Sequence, residues 1–277
     1  MKKRFCLIGL GKIGENLAIS LYKKKIDFDI WDINKKKLNY LSKKFKTKPI
    51  RNFKKYLIRG NKILLLFLPH NKVNNFIEKN EKNLKKKDIL LDFGNSNPSN
   101  TLIRHNYFKK KGILFMGIGF SGGIKGARNK PCLMISGSNK DTKKISQIIN
   151  IILNQKYSNK VKAIGNDPRL GHLSKICHNA IEYALMKLLS EFYIFQKNIL
   201  KKSKNKIFKN YQQINLKNPN FYLGQLSEKI LEMEKNNSIK LRLFSDKIEH
   251  NETSKWFNIL CLENNISCPT LLSSFEN

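Results

Sequence analysis

Phe5-Cys6-Leu7-Ile8-Gly9-Leu10-Gly11-Lys12-Ile13-Gly14 joins a short apolar run to a lysine-bearing helical pattern through three glycines. Phe5–Ile8 has the length and composition of a buried strand, and Gly14–Lys24 has helical periodicity. The three glycines have separable uses. Gly9 permits the tight turn, Gly11 lets backbone come close to a pyrophosphate, and Gly14 lets helix pack against strand. The helix start then offers free N–H groups and a positive dipole end to an anion. Gly9, Leu10, Gly11, Lys12, Ile13 and Gly14 are therefore the expected dinucleotide cradle.

An acidic residue strengthens this reading. Phe28–Asp32 is a second expected strand, and Asp32 closes it 23 positions after Gly9. A carboxylate there accepts hydrogen bonds from ribose hydroxyls and disfavours a 2′-phosphate, which favours NAD over NADP. Lys35, Lys36 and Lys37 follow closely and offer charge for a 2′-phosphate, so NADP stays in view.

Further along, expected helices over Lys35–Phe45 and Val73–Lys85 alternate with expected strands at Ile63–Leu68, Ile89–Asp92, Gly112–Met116 and Leu133–Ser136. This rhythm predicts an α/β fold, a Rossmann-type doubly wound parallel sheet. Leu66-Phe67-Leu68-Pro69 ends the strand expected beside the cofactor's ribose, with Leu68 as a contact. Beyond about residue 160 the strand signals stop, and Leu173–Ile199 is a long helical pattern without Gly or Pro. Loop signals follow at Asn218-Pro219-Asn220, Asn236-Asn237-Ser238 and His250–Ser254. The expected division is a dinucleotide-binding domain over 1–163 and a smaller all-helical substrate and dimerisation domain over 164–277.

Composition narrows the class. Lys and Arg total 54 and Asp and Glu 20, so 54 − 20 gives a formal net charge of +34. The lysines are spread along the whole chain, as in a composition biased toward Lys, Asn and Ile, and form no single basic arm. Nucleic acid is therefore not the expected partner, although such a field steers anionic substrates. The five cysteines have no zinc spacing and are expected as reduced thiols. The basic start Met1-Lys2-Lys3-Arg4 precedes an apolar run too short for a signal peptide or membrane span. A cytoplasmic protein without membrane attachment is expected.

The chemistry concentrates at Lys175-Ile176-Cys177-His178-Asn179-Ala180-Ile181-Glu182-Tyr183. Lys175, His178, Asn179 and Glu182 fall at i, i+3, i+4 and i+7, one face of a helix. A base, two hydrogen-bonding groups and an acid line that face, among apolar or small residues on the others. Such a face, following a dinucleotide domain, is a candidate catalytic surface.

At this point the chain resembles the decarboxylating 6-phosphogluconate dehydrogenases, within the wider β-hydroxyacid dehydrogenase group. Asp92-Phe93-Gly94-Asn95-Ser96 is similar to the family's D-G-G-N-[ST], and Gly119-Phe120-Ser121-Gly122-Gly123 with Gly126-Ala127 to G-x-S-G-G-x-x-G-A. The Lys175–Tyr183 run is similar to K-x-x-H-N-x-I-E-Y. The resemblance implies that Lys175 is the general base and that Glu182 protonates the enediol carbon after loss of CO₂. It implies that Asn95, Ser121, Gly122, Gly123, His178 and Asn179 hold the substrate's carboxylate and hydroxyls, with Asn95 also near the cofactor. Tyr183 would reach the phosphate of a phosphorylated sugar acid. A homodimer is implied as well, and Phe192, Tyr193, Phe195 and Leu200 are apolar residues such an interface would cover.

The chain departs from the long form of that family and is similar to its short, NAD-type branch. Where that branch has an arginine-containing motif, this chain has Asn215-Leu216-Lys217-Asn218-Pro219-Asn220, without arginine. Arg169 and Lys217 are candidate substitutes. Phe93 replaces a glycine and puts bulk beside the expected substrate. Two alternatives remain at this point: another β-hydroxyacid dehydrogenase with a different substrate, phosphorylated or not, and a non-catalytic basic interaction protein on a decayed dehydrogenase fold.

Overall fold

The computed structural model describes residues 4–153, 163–218, 220–236, 238 and 252–273. In the first part the strands are β1 (Arg4–Ile8), β2 (Phe28–Trp31), β3 (Lys62–Leu66), β4 (Ile89–Asp92), β5 (Leu114–Gly117), β6 (Gly119–Ser121) and β7 (Cys132–Met134). The helices are α1 (Lys12–Lys23), α2 (Lys35–Lys44), α3 (Phe53–Ile58), α4 (His70–Asn80), α5 (Pro98–Lys110), α6 (Gly123–Arg128) and α7 (Asn139–Leu153). The long helix α8 (Leu170–Ile194) follows, then α9 (Lys204–Lys217), α10 (Tyr222–Lys235), α11 (Thr253–Glu263) and α12 (Pro269–Ser273). The chain divides into two compact units between Ile176 and Cys177, within α8.

In the first unit, β1 to β5 form a parallel sheet in the order β2-β1-β3-β4-β5. Strand period sorts the side chains onto two faces. Phe5, Leu7, Ile63, Leu65, Ile89 and Leu91 enter one core with Leu17 and Leu21 of α1 and Ile145 and Ile149 of α7. Cys6, Ile8, Leu64, Leu66 and Leu90 enter a second core with Leu57 of α3, Val73 and Phe76 of α4, and Phe108 of α5. Both faces are covered, which is why β3 reads as an unbroken apolar run after Lys62. The fold is thus the expected doubly wound α/β type.

One expected strand belongs elsewhere. Leu133–Ser136 was expected to continue the parallel series, but Cys132–Met134 pairs antiparallel with β6 in a separate two-stranded sheet. A single residue, Ile118, separates β6 from the end of β5 at Gly117, and the short helix α6 with its flanking turns returns the chain so that β7 runs back along β6. Asn34, Asn52 and Asn97 start α2, α3 and α5 by accepting hydrogen bonds from the amides of Lys37, Lys55 and Ser99. Such caps contribute about 1 kcal/mol each.

In the second unit, Ile207, Phe208 and Tyr211 of α9 pack with Leu231 of α10, and Leu189, Phe192 and Tyr193 of α8 lie against them. Phe192 and Tyr193, expected to await a partner, are thus partly covered within the unit. Phe195 and Leu200 remain 48% and 47% exposed. The helix expected to run to Ile199 changes to a π turn over Phe195–Ile199. Of the expected loops, Pro219, Asn237 and residues 250–251 lie outside the described residues, as does the side chain of Ser254. Among the described residues, no helix is long and apolar enough to cross a membrane.

Candidate active site

The sheet order reverses between β1 and β3, and ligands of open α/β sheets sit at the carboxyl ends of strands flanking such a point. The Gly9–Gly14 loop leaves β1 there, and Phe67-Leu68-Pro69 leaves β3. Gly9 has φ +88°, and a Cβ on it would meet the Phe67 carbonyl oxygen at 2.4 Å. A Cβ on Gly14 would lie 2.0 Å from the Gly9 carbonyl oxygen, so only glycine lets α1 start this close to the turn. Gly11 differs, because a Cβ there would meet nothing within 4 Å. Internal packing therefore does not require glycine at position 11. No side chain caps the start of α1, which leaves the first-turn amides near Lys12, Ile13 and Gly14 free of a side-chain acceptor. These features fit a dinucleotide pyrophosphate.

Asp32 sits just past β2. Its carboxylate accepts from the amide of Leu10 at 2.6 Å and from that of Asn34 at 2.8 Å. A carboxylate offers about four acceptor positions, so two remain for ribose hydroxyls. The amide of Leu10, a residue of the expected cradle, is engaged by Asp32. Of the lysines expected near a 2′-phosphate, Lys37 pairs with Glu15 at 3.2 Å.

Asp92, at the end of β4, is fully buried and organises the next loop. Its carboxylate accepts from the Gly94 amide at 3.0 Å, the Ser96 hydroxyl at 2.7 Å and Nη1 of Arg104 at 3.4 Å. Arg104 also holds the Asn74 side-chain oxygen through Nε at 3.1 Å and Nη2 at 2.8 Å. Burial works against the Arg104 charge, and the Asp92 carboxylate opposes that effect. Asn95 lies between the two residues whose polar groups Asp92 binds. Phe93, expected to crowd the substrate, instead turns into the core and stacks on Phe67 at 4.9 Å. Gly94 has no room for a Cβ, because the Leu68 carbonyl would be 2.6 Å away.

Ser121 ends β6, and Gly122 and Gly123 follow with φ +106° and +54°. Both glycines are exposed, and the turn they make starts α6. Arg128, at the end of α6, donates to the Asn16 side chain on α1 and so ties this turn to the glycine-loop helix.

The start of α8 is clamped onto the sheet unit. The Gly171 amide donates to the Ser136 hydroxyl at 2.8 Å. A Cβ on Gly171 would meet the Gly117 carbonyl at 2.5 Å, and one on Gly117 would meet the His172 ring at 2.5 Å. His172 Nε2 lies 3.1 Å from the Asp92 carbonyl oxygen, and Nδ1 lies 2.7 Å from the Thr101 hydroxyl. A carbonyl only accepts, so Nε2 carries the hydrogen. Burial pushes the His172 pKa down, with Asp92 opposing, so the ring is neutral near pH 7 and Nδ1 accepts from Thr101. One turn later Lys175 is 8% exposed, an uncommon degree of burial for a lysine.

Further along α8, His178 Nδ1 is 3.6 Å from Glu182 Oε2. Asn179 is buried, and its side-chain NH₂ donates to the Thr253 hydroxyl at 3.0 Å. Tyr183 neighbours Glu182 and Thr253, and burial raises its phenol pKa, which keeps it a proton donor at neutral pH. Arg169, one candidate for the missing arginine, is engaged by Asp167 in its own loop, with Nη2 2.6 Å from the carboxylate. His172, Thr101, Arg104 and Asn74 were not singled out as candidates from the sequence. The signal for Thr101 and Arg104 is that they share, with His105 and Phe108, the i, i+3, i+4, i+7 face of α5, a buried face made largely of polar residues.

Residues 4–165 match the NAD binding domain of 6-phosphogluconate dehydrogenase, and residues 171–276 match that enzyme's C-terminal domain. A Bacillus subtilis protein named NAD(+)-dependent, decarboxylating 6-phosphogluconate dehydrogenase is 28% identical over 97% of this chain and 59% of its own length. A decarboxylating 6-phosphogluconate dehydrogenase of Buchnera aphidicola is 31% identical over 95% of this chain and 57% of its own. The chain therefore spans 57–59% of the length of these curated relatives. The solved 6-phosphogluconate dehydrogenase of Plasmodium falciparum, described with NADP+ and with 6-phosphogluconate, superposes with a TM-score of 0.85. It is 25% identical, covering 99% of this chain and 61% of that one. A Mycobacterium tuberculosis 3-hydroxyisobutyrate dehydrogenase shares the fold, with a TM-score of 0.73 at 12% identity over 99% and 91% of the two chains.

Proposed function

Because the chain belongs to the 6-phosphogluconate dehydrogenase family, we propose that it takes part in the oxidative decarboxylation of 6-phosphogluconate to ribulose 5-phosphate and CO₂. The observation that carries this reading is the run Lys175, His178, Asn179, Glu182 and Tyr183 on one continuous helix. A bound nicotinamide dinucleotide would accept the hydride from C3 of the substrate. Gly9 to Gly14 would hold its pyrophosphate on the start of α1, Asp32 its ribose, and Leu68 and Asn95 would line its reactive half.

Lys175 takes the proton of the 3-hydroxyl as hydride leaves C3. In the resulting β-keto acid the bond to the carboxylate breaks, its electron pair forms the enediol, and Lys175 returns its proton to the C3 oxygen. Glu182 then gives a proton to the carbon that lost CO₂ while Lys175 takes back the proton of the C3 hydroxyl, which leaves the ketone of the product. Asn95, Ser121, Gly122, Gly123, His178 and Asn179 bind the carboxylate and hydroxyls, and Tyr183 donates to the phosphate. Engagement of Lys37 by Glu15 and the carboxylate at Asp32 support NAD over NADP. Ile181, Leu188 and Phe195 are exposed at seven-residue spacing along α8 and its π turn, which supports a homodimer. The division into a dinucleotide-binding part over 1–163 and a helical substrate part over 164–277 belongs to the same proposal.

The direct test is reduced-cofactor formation with 6-phosphogluconate, run with NAD and with NADP. Turnover of small unphosphorylated 3-hydroxy acids in place of 6-phosphogluconate would overturn the substrate assignment.

A further inference from the structure

The buried triad Asp92, Thr101 and His172 joins three elements of the first unit that are far apart in sequence. His172 belongs to the first turn of α8, Thr101 to α5, and Asp92 to the end of β4. Both ring nitrogens are committed, Nε2 to the Asp92 carbonyl at 3.1 Å and Nδ1 to Thr101 at 2.7 Å. The same Asp92 uses its carboxylate to shape the loop around Asn95, through Gly94 and Ser96. Gly117 is kept without a side chain, because a Cβ would sit 2.5 Å from the imidazole. A histidine serving only as filler needs neither two directed hydrogen bonds nor a strand position emptied for it.

We propose that His172 is a positioning residue for Lys175: it fixes the first turn of α8 to Asp92, so that the lysine and the Asn95 loop are set by one anchor. This rests on the reading of Lys175 as the base. The imidazole offers one donor and one acceptor in a rigid ring. An amide side chain supplies the same two functions less rigidly, and an aliphatic one supplies neither. His172 does not itself exchange a proton with substrate, since its nitrogens are occupied and the residue is 1% exposed.

The test compares His172→Leu, His172→Gln and Thr101→Val with the unsubstituted protein in two measurements. In cofactor-free protein, hydrogen exchange at the Lys175 and Ile176 amides should accelerate at least about tenfold in His172→Leu and less in His172→Gln. In steady-state kinetics, kcat should fall about 10- to 100-fold in His172→Leu, as expected when a reacting group is held loosely. Cofactor Kd should stay within twofold, the pH profile of kcat should shift, and His172→Gln should recover part of the loss. Thr101→Val, which removes the Nδ1 partner together with a helix-start bond to the Asn97 carbonyl and leaves the Nε2 bond to Asp92, should move both readouts in the same direction by a smaller amount. Unchanged exchange, or faster exchange with unchanged kcat and pH profile in folded protein, would overturn the proposal. If His172→Leu does not fold, Thr101→Val decides, and an unchanged kcat there overturns it. Absence of turnover in the unsubstituted protein defeats the assigned activity instead, and the exchange measurement still judges the anchor.

Discussion

The carboxylate of Asp32 accepts a hydrogen bond from the amide of Leu10 at 2.6 Å, so the acidic residue expected to meet the cofactor also holds the glycine loop in shape. Asp32→Ala should therefore do two things at once. Loss of the charge-assisted bonds to Leu10 and Asn34 should destabilise the fold by about 1–2 kcal/mol. Cofactor Kd, followed by fluorescence titration, should rise about tenfold for NAD and less for NADP, because the discrimination against a 2′-phosphate goes with the carboxylate. Equal losses for both cofactors would remove Asp32 from the specificity role.

The glycine loop separates folding from binding at two positions three residues apart. Gly11→Ala places its methyl in open space and should leave the thermal midpoint within a few degrees while weakening dinucleotide binding. Gly14→Ala drives its methyl into the Gly9 carbonyl and should destabilise the protein as well. Calorimetry beside cofactor titration distinguishes the two. A Gly11→Ala protein that binds as tightly as the original would place the pyrophosphate elsewhere.

Removal of the base should be a kinetic lesion. Lys175→Ala should keep cofactor Kd near its original value and lower kcat by about 10²- to 10⁴-fold, the usual contribution of a general base. A variant with near-normal kcat would sink the assignment.

The buried imidazole also makes stability depend on pH, with a definite sign. Burial lowers the folded pKa of His172 below the unfolded value of about 6.5. Below pH 6.5 the unfolded chain takes up a proton that the folded protein refuses, so stability falls as pH falls. The contribution is bounded by about 1.4 kcal/mol per pH unit and vanishes above pH 7. Urea unfolding at pH 7.5 and 5.5 should show a larger loss for the original protein than for His172→Gln. Parallel losses would assign the acid sensitivity to other groups.

The parallel sheet is readable from sequence because its strands are covered on both faces, so Ile63-Leu64-Leu65-Leu66 is apolar at every position. β6 and β7 have three residues each, too few for periodicity to reveal their antiparallel pairing. Helix α5 escaped notice for a different reason. Its buried face includes Thr101, Arg104 and His105, which pair with Asp92, Asn74, His172 and backbone, and a polar face registers as solvent-facing in any apolar count. The Lys175–Tyr183 face was legible because its chemically mixed residues share one helix. The groups that anchor it were not, because Asp92 and His172 are 80 residues apart. Phe93 illustrates a related limit, since a bulky residue in a glycine motif says nothing of the direction it points until Phe67 is known to stack on it.

That 80-residue separation has a consequence for how the protein reaches its working form. The Gly9–Gly14 turn is completed by Trp31 and Phe67, which arrive early from the nascent chain, whereas the start of α8 has nothing to dock on until β4, α5 and β5 are in register. Closing the longer loop costs extra entropy before its contacts repay it. An ordered assembly is the expected outcome, with the Gly9–Gly14 turn formed first and the lysine-bearing turn last. Slow maturation of this chain should show up as a species that already binds nucleotide and has yet to acquire turnover.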